Sequence, residues 1–588
     1  MALAFVFLGV MLWRIQVVHG ERYRDDELRQ SVRRVRLPGM RGRLYDRHGI
    51  VLADNRPGHH IAVYLEELRR PGGWVRTVDH LELQLDTWAQ ELNVERELSR
   101  TDIEMHIRRR LPMPLIAWRD IDERTLGRWA ERLAGIRGVD IYTEAVRVYP
   151  HNELFAHVLG YVGRADFEQP ADQPYHYYIP EMEGRFGIEQ RYDEALRGAA
   201  GGRLVRVDVS GFRHEDLGVR SPAAGRDLML TLDVRIQKTI ERVLEGTPGA
   251  AVVVDPRNGE VLAMASYPAF NPNDFVPTLS SAVWAELRDD PAQPLFHRAV
   301  SGAYAPGSTF KPVTALASLV NDFSTAQTRY TCTGSITLGR SATFRCWQRH
   351  GHGPLELRES LTYSCNVYYY RLALQSGADA VAHMARTLGL GQRTGIDLNG
   401  EVAGLVPDDA WKRRTHGDAW RDGDTCNLSI GQGALTVTPL QMAMLTAAIA
   451  NGGYVYRPRL VLGVREPGAE VFERTPAELV NDLEWNPIWV RDVRAGMRDA
   501  IMSDRGTGRL ARIPGVSAAG KTGTAEYGPR DERRKRGWMI AYAPAEAPRY
   551  AVAIVTEDAE SGGTTVAPMV RQLLEDLFAP DGELGGTP

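Results

Sequence analysis

The sequence predicts an α+β fold, an antiparallel sheet packed with helices, from three observations. Strand-like runs lie near both ends of the C-terminal part: Ala250 to Asp255 and Val261 to Met264 at its start, Trp538 to Tyr542 and Tyr550 to Val555 at its end. The turn Pro256-Arg257-Asn258-Gly259 folds the first two into a hairpin. Helical stretches rich in Ala, Leu and Val lie between them, Ser308 to Val320 being the clearest. Helices gathered between paired strands are the α+β pattern.

The elements are read in chain order. A chain of 588 residues is expected to hold several domains. Residues 1–18 are expected to be an uncleaved membrane anchor, apolar from Ala2 to Trp13 and interrupted by Arg14. A spanning helix wants about 20 apolar residues, so a buried helix of a soluble protein is the alternative. Residues 19–224 read as one N-terminal domain. Its Arg29, Arg33, Arg34, Arg36, Arg41, Arg43 and Arg47 read as a solvated face or a contact to anionic headgroups. His48-Gly49 marks a hairpin returning as Val51-Leu52. A helical insertion at about 60–145 is read from Leu81, Leu85, Trp88 and Leu92 at helical spacing. Glycine-punctuated blocks around Arg147, Gly160 and Gly184 to Gly198 suggest a domain closed by distant segments. Ser221 to Gly225 reads as a linker, Leu228 to Leu232 as a strand, and Asp233 as the cap of a helix to Leu244. Residues 225–580 form the second domain, and the Gly-rich 581–588 reads as a disordered tail.

A hydrophobic share of 43% and a charged share of 25% are ordinary globular values. A net charge of −4 argues against a general nucleic-acid binder. Four cysteines, Cys332, Cys346, Cys365 and Cys426, are too few for a disulfide scaffold.

Three motifs carry the chemistry: Ser308-Thr309-Phe310-Lys311, Ser364-Cys365-Asn366 and Lys521-Thr522-Gly523-Thr524. Each alone is weak, and a lone Ser-x-Asn is usually a capped turn. Their order and long gaps make the set specific. Ser308 follows the breaker cluster Tyr304-Ala305-Pro306-Gly307, so it falls at a helix N-terminus, where the dipole favours a developing oxyanion. Lys311 lies one turn on, along the same face. A serine hydroxyl attacks a carbonyl poorly until a base takes its proton. A neutral Lys311 is that base if burial and a second cation, Lys521, lower its pKa. Lys521 to Thr524 read as a strand start, where Gly523 lets a peptide backbone approach and add to the edge.

This set resembles the Ser-x-x-Lys, Ser-x-Asn and Lys-Thr-Gly motifs of the penicillin-binding proteins and class A β-lactamases. The glycine-punctuated N-terminal blocks resemble the pedestal, or dimerisation-type, domain of the class B monofunctional transpeptidases. Cys346-Trp347-Gln348-Arg349-His350-Gly351-His352-Gly353 and Lys-Thr-Gly-Thr-Ala-Glu at Lys521 to Glu526 are similar to the elongation-type branch, penicillin-binding protein 2. The resemblance implies peptidoglycan D,D-transpeptidation through an acyl-enzyme on Ser308, with β-lactams as inhibitors. It implies proton delivery by Ser364, and a clamp by Asn366 on Lys311 and the substrate amide. Lys521 and Thr522 would hold the terminal carboxylate, and the N–H groups of Ser308 and Thr524 the oxyanion. It further implies an inner-membrane, single-pass protein with its catalytic domain in the periplasm. Its implied partners are stem peptides, a SEDS-type glycosyltransferase and rod-complex scaffold proteins, with no nucleic acid. Alternatives within the same fold are a division-type transpeptidase, a D,D-carboxypeptidase, a β-lactamase or a penicillin-binding sensor. Arg536-Gly537-Trp538-Met539 departs from the family's His-Ala-Trp-Phe after the third motif.

Cys332, Cys346, His352 and Cys365 offer three thiolates and an imidazole, a donor set that satisfies tetrahedral zinc. Some elongation-type relatives are similar in carrying zinc here. A structural Zn²⁺ is therefore expected, with no organic cofactor; the alternative is a Cys332–Cys346 disulfide. Cys426 reads as a buried apolar residue.

Overall fold

The computed structural model describes residues 2–21, 32–109, 114–165, 176–178, 182–207, 213–339, 342–529 and 531–579. The expected tail at 581–588 and Arg29 lie outside the described residues. The N-terminal run forms a helix, Ala2–Trp13, continued by a wider π-type turn, Arg14–Val18. Among the described residues no helix is long and apolar enough to cross a membrane.

The N-terminal domain closes as its scattered blocks suggest. The strands Leu44–Tyr45 and Val51–Val63 form the hairpin expected at His48-Gly49. The insertion folds into helices Trp74–Leu92, Arg100–Arg109 and Glu123–Arg132, with Leu81, Leu85, Trp88 and Leu92 buried. A strand that the helical reading missed, Leu115–Trp118, pairs with Val51–Val63. Its four residues are too few to show a period.

At the centre of this domain lies Glu189, fully buried. Its carboxylate accepts from Arg41 Nε at 2.6 Å and from Arg147 Nε at 2.7 Å. Arg41 also reaches Asp193 at 2.7 Å, and Tyr149 donates its hydroxyl to Glu189 at 3.3 Å. One carboxylate thus ties together the blocks at 41–55, 147–149 and 184–198. Arg41 and Arg47 therefore depart from the solvated face that the run suggested, while the side chains of Arg33 and Arg34 lie outside the described residues. Arg41 is buried and Arg47 pairs with Glu260, because each meets a carboxylate from a distant segment; Arg43 stays exposed and pairs with Asp54 of its own hairpin. The expected linker is likewise stitched down: Ala199 and Ala223 exchange both backbone hydrogen bonds, and Gly225 donates its N–H to the Met40 carbonyl.

The strand Asp227–Leu230 pairs in parallel with Leu44–Tyr45. A seven-stranded sheet therefore runs from Glu473–Arg474 and Val461–Arg465 through Asp227–Leu230 into the N-terminal strands. Leu44, Leu52, Leu228 and Leu230 are buried in one apolar cluster that continues into the C-terminal core.

The C-terminal domain is the expected antiparallel sheet. We label its strands β1 (Gly249–Val254), β2 (Val261–Tyr267), β3 (Ala519–Tyr527), β4 (Arg534–Ala543) and β5 (Tyr550–Thr556). Their spatial order is β2-β1-β5-β4-β3, all antiparallel, so β3 is an edge strand. The middle strands read as continuous apolar runs because helices cover both faces. One face carries α1 (Val234–Leu244), whose N-cap Asp233 accepts from the Arg235 N–H. The other carries α4 (Pro439–Asn451), with α2 (Lys311–Val320) and α3 (Asn366–Ser376) in the same apolar cluster.

Candidate active site

Ser308 stands just before α2, in a 3₁₀ turn, Gly307–Phe310. The sequence suggests one helix from Ser308; the turn is tighter because Pro312 has no N–H to bond back to the Ser308 carbonyl. The Lys311 N–H takes that carbonyl instead. Gly307 has φ +57° and touches β3: a Cβ there would lie 2.7 Å from the Thr524 carbonyl oxygen. Gly523 is pressed from the other side, where a Cβ would lie 2.7 Å from the Pro306 carbonyl oxygen. Glycine at both positions brings the serine turn against the substrate edge. Lys521 is the third residue of β3, not its first.

The second motif lies between them. Ser364 has φ +54°, a conformation that costs a non-glycine residue of order 1–3 kcal/mol. Its carbonyl there accepts from Lys311 Nζ at 2.7 Å and from Trp347 Nε1 at 3.2 Å. Asn366 Oδ1 accepts from Lys311 Nζ at 2.7 Å. The Ser364 hydroxyl lies 3.2 Å from Lys311 Nζ and accepts from Lys521 Nζ at 2.8 Å. Both lysines are fully buried. Burial pushes Lys311 down to about 8; burial and the charge of Lys311 push Lys521 well below the usual lysine range. A neutral amine has two N–H donors and one lone pair. Lys311 directs short bonds to two acceptors, the Ser364 carbonyl and Asn366. Its third contact is the Ser364 hydroxyl, toward which the lone pair of the neutral amine is turned. Among the described residues no hydrogen bond engages the Ser308 hydroxyl, so Lys311 is held by the second motif and not by the serine it follows.

The third-motif threonines are also held. Thr522 donates its hydroxyl to Thr507 Oγ1 at 3.0 Å, and Thr524 Oγ1 accepts from the Gly562 N–H at 3.2 Å. Gln432 Nε2 donates to the Thr524 carbonyl at 3.3 Å, and the Gly307 N–H to the Gly431 carbonyl at 2.9 Å. Thr507, Gly562 and Gly431-Gln432 were not singled out in the sequence. They sit in turns far from the motifs in sequence and carry no periodic signal.

All four proposed metal ligands converge. Their donor atoms lie within 4.8 Å of one another, and the Cys346 sulfur is 3.6 Å from His352 Nδ1. All four cysteines are free, so the Cys332–Cys346 disulfide is not formed. A hydrogen bond from the Cys365 thiol, helped by His352, pushes Cys346 down to about 3, while Cys365 is pushed up. Three sulfurs and an imidazole this close, with the His352 Nε2 atom buried and unpartnered, fit a tetrahedral ion of zinc's size and softness. Cys426 is buried away from the cluster, and burial pushes its thiol up to about 12.

Fold and site together define a penicillin-binding transpeptidase. Residues 249–575 match the penicillin binding protein transpeptidase domain, and residues 36–230 the penicillin-binding protein dimerisation domain. The peptidoglycan D,D-transpeptidase MrdA of Acinetobacter baumannii is 35% identical over 96% of this chain and 83% of its own length. The complex of penicillin-binding protein PBP2 with MreC from Helicobacter pylori contains a chain with a TM-score of 0.79 at 28% identity, covering 93% of this chain and 98% of that one. A structure of a peptidoglycan synthase complex, described as coordinating polymerization and crosslinking, contains one with a TM-score of 0.71 at 31% identity, covering 99% and 97%. The chain belongs to the elongation-type class B penicillin-binding proteins, the family of the MrdA transpeptidases.

Proposed function

We propose that this protein is a peptidoglycan D,D-transpeptidase of cell-wall elongation that works through a serine acyl-enzyme. The observation that carries the reading is the meeting of two buried lysines on the Ser364 hydroxyl, beside Ser308 and the open edge of β3. A donor stem peptide adds to that edge with its terminal carboxylate toward Lys521 and Thr522. Neutral Lys311 takes the Ser308 proton, and the oxygen attacks the carbonyl of the penultimate D-alanine. The N–H groups of Ser308 and Thr524 hold the oxyanion. The C–N bond breaks, and the departing D-alanine nitrogen receives its proton through Ser364. An amine from a neighbouring stem then displaces Ser308 from the acyl carbon, returning the proton to the serine. Intact-mass analysis after penicillin treatment is expected to show one stable adduct, mapped to the peptide carrying Ser308; an adduct elsewhere overturns this assignment.

The same reading makes the protein an inner-membrane one, held by its N-terminal helix with the catalytic domain in the periplasm. By likeness to the MreC complex and the synthase complex, its partners are rod-complex scaffold proteins and a SEDS-type glycosyltransferase. We further assign a structural Zn²⁺ to Cys332, Cys346, His352 and Cys365. When bound, the ion would staple the loop that presents Ser364 and Asn366; it takes no part in acyl transfer. Elemental analysis is expected to give one zinc per chain, and chelation to lower the melting temperature and speed thiol alkylation. A zinc-free protein with two thiols blocked until reduction excludes the ion.

A further inference from the structure

The departure from the family pattern at Arg536 points to a role for this side chain. On β4, Arg536 pairs with Ala525 and Trp538 with Gly523, so their side chains share the face of the sheet that Lys521 occupies. Trp538 Nε1 donates to the Ala305 carbonyl at 3.1 Å, supporting the turn before Ser308. The Arg536 guanidinium carbon lies 4.0 Å from the centre of the Tyr527 ring and 4.8 Å from that of Tyr304. The guanidinium is thus held between two aromatic rings.

Among the described residues that guanidinium has no anionic partner. Its Nε is buried without a hydrogen bond, and among the described residues no carboxylate forms an ion pair with it. The acids nearby are already engaged. Glu557 accepts from the Tyr304 hydroxyl at 2.9 Å and pairs with Arg298 at 3.2 Å. Asp558 lies 3.4 Å from the Tyr527 hydroxyl, and Glu526 pairs with Arg533.

The polarity of the bound peptide gives the cation its use. With the terminal carboxylate toward Lys521 and Thr522 and the scissile carbonyl at the Thr524 N–H, the residues upstream of that bond run past Ala525 to Tyr527. Stem peptides carry free carboxylates there, on their γ-linked and diamino acid residues. We propose that Arg536 is a specificity-determining residue that pairs with a carboxylate on the donor stem peptide, upstream of the bond that is cleaved. A guanidinium held between two rings presents its fork to a carboxylate with little further ordering, which a lysine in its place would not do.

The inference rests on the acyl-enzyme reading above, and the test separates the two. The acyl side chain of a penicillin stands where the upstream stem residues would lie. Benzylpenicillin and its α-carboxy derivative differ there by one carboxylate. Second-order acylation constants for both are to be measured on the full chain and on Arg536→Gln and Arg536→Lys. The ratio of the α-carboxy derivative to benzylpenicillin is expected to fall about tenfold in Arg536→Gln, with partial recovery in Arg536→Lys. In the unsubstituted protein the same ratio falls as ionic strength rises, a measurement that does not depend on a variant folding. A ratio that stays within about twofold in both variants and does not respond to salt gives Arg536 a packing role only and overturns the proposal. Failure of benzylpenicillin to acylate Ser308 at all overturns the acyl-enzyme reading as well.

Discussion

Ser308→Ala abolishes covalent labelling by a fluorescent penicillin and leaves the melting temperature where it was. The loss is total because, among the described residues, no other hydroxyl lies against the β3 edge with a lysine one turn beyond it. The fold survives because the Ser308 hydroxyl holds nothing in place, and removal of an unbonded, partly exposed hydroxyl changes stability by less than about 0.5 kcal/mol. Lys311 governs the pH response of the same reaction. The base form is the neutral amine, and burial pushes this lysine down to about 8. The acylation rate therefore climbs with pH up to about 8 and levels above it, and Lys311→Ala lowers the rate by about 10²–10⁴ and removes the climb. A labelled Ser308→Ala protein, or a Lys311→Ala protein that keeps the parent's rate, would sink the serine–lysine assignment.

Glu189→Ala is expected to destabilise the N-terminal domain by about 3–5 kcal/mol, the cost of leaving buried charges without their partner. The carboxylate lies between Arg41 and Arg147, both buried, and among the described residues no other carboxylate pairs with Arg147. Burial alone would raise the Glu189 pKa, but the charges of Arg147 and Arg41 outweigh it and hold the carboxyl below its usual range. Its contribution is thus complete above the unfolded carboxyl's pKa and is lost as pH falls through the lowered folded value. Urea unfolding followed by limited proteolysis measures the effect. A midpoint unchanged from the parent would mean that the cluster is incidental to the fold.

The site was legible where chemistry sits in short, ordered motifs. Ser308, Ser364, Asn366 and Lys521 are grouped as the motifs imply, and the four metal-ligand candidates meet although they span residues 332–365. The hairpin at Gly49, the helix capped by Asp233 and the β1–β2 pair were equally readable, because a local turn or cap marks each. What the sequence hid is long-range. Thr507 reaches Thr522, and Gly562 reaches Thr524, from loops whose residues look like any others. The run containing Arg41 looks solvent-facing in sequence, because the carboxylate that buries it lies 148 residues away. The Ser308–Lys311 spacing lets the amine reach the hydroxyl, but that reach is not a bond in the structure. Local spacing places both on one face, but the second motif supplies better acceptors for the amine.

The strand Asp227–Leu230 is shared between the two halves of the molecule, and this limits how they can be separated. A catalytic fragment begun at residue 225 would lose Leu44–Tyr45 as the neighbour of that strand and leave Leu228 and Leu230 wet. Bare backbone donors beside apolar side chains invite self-association. A soluble excised enzyme would have to carry the hairpin at 44–55 with it, grafted back as an extra polypeptide arm.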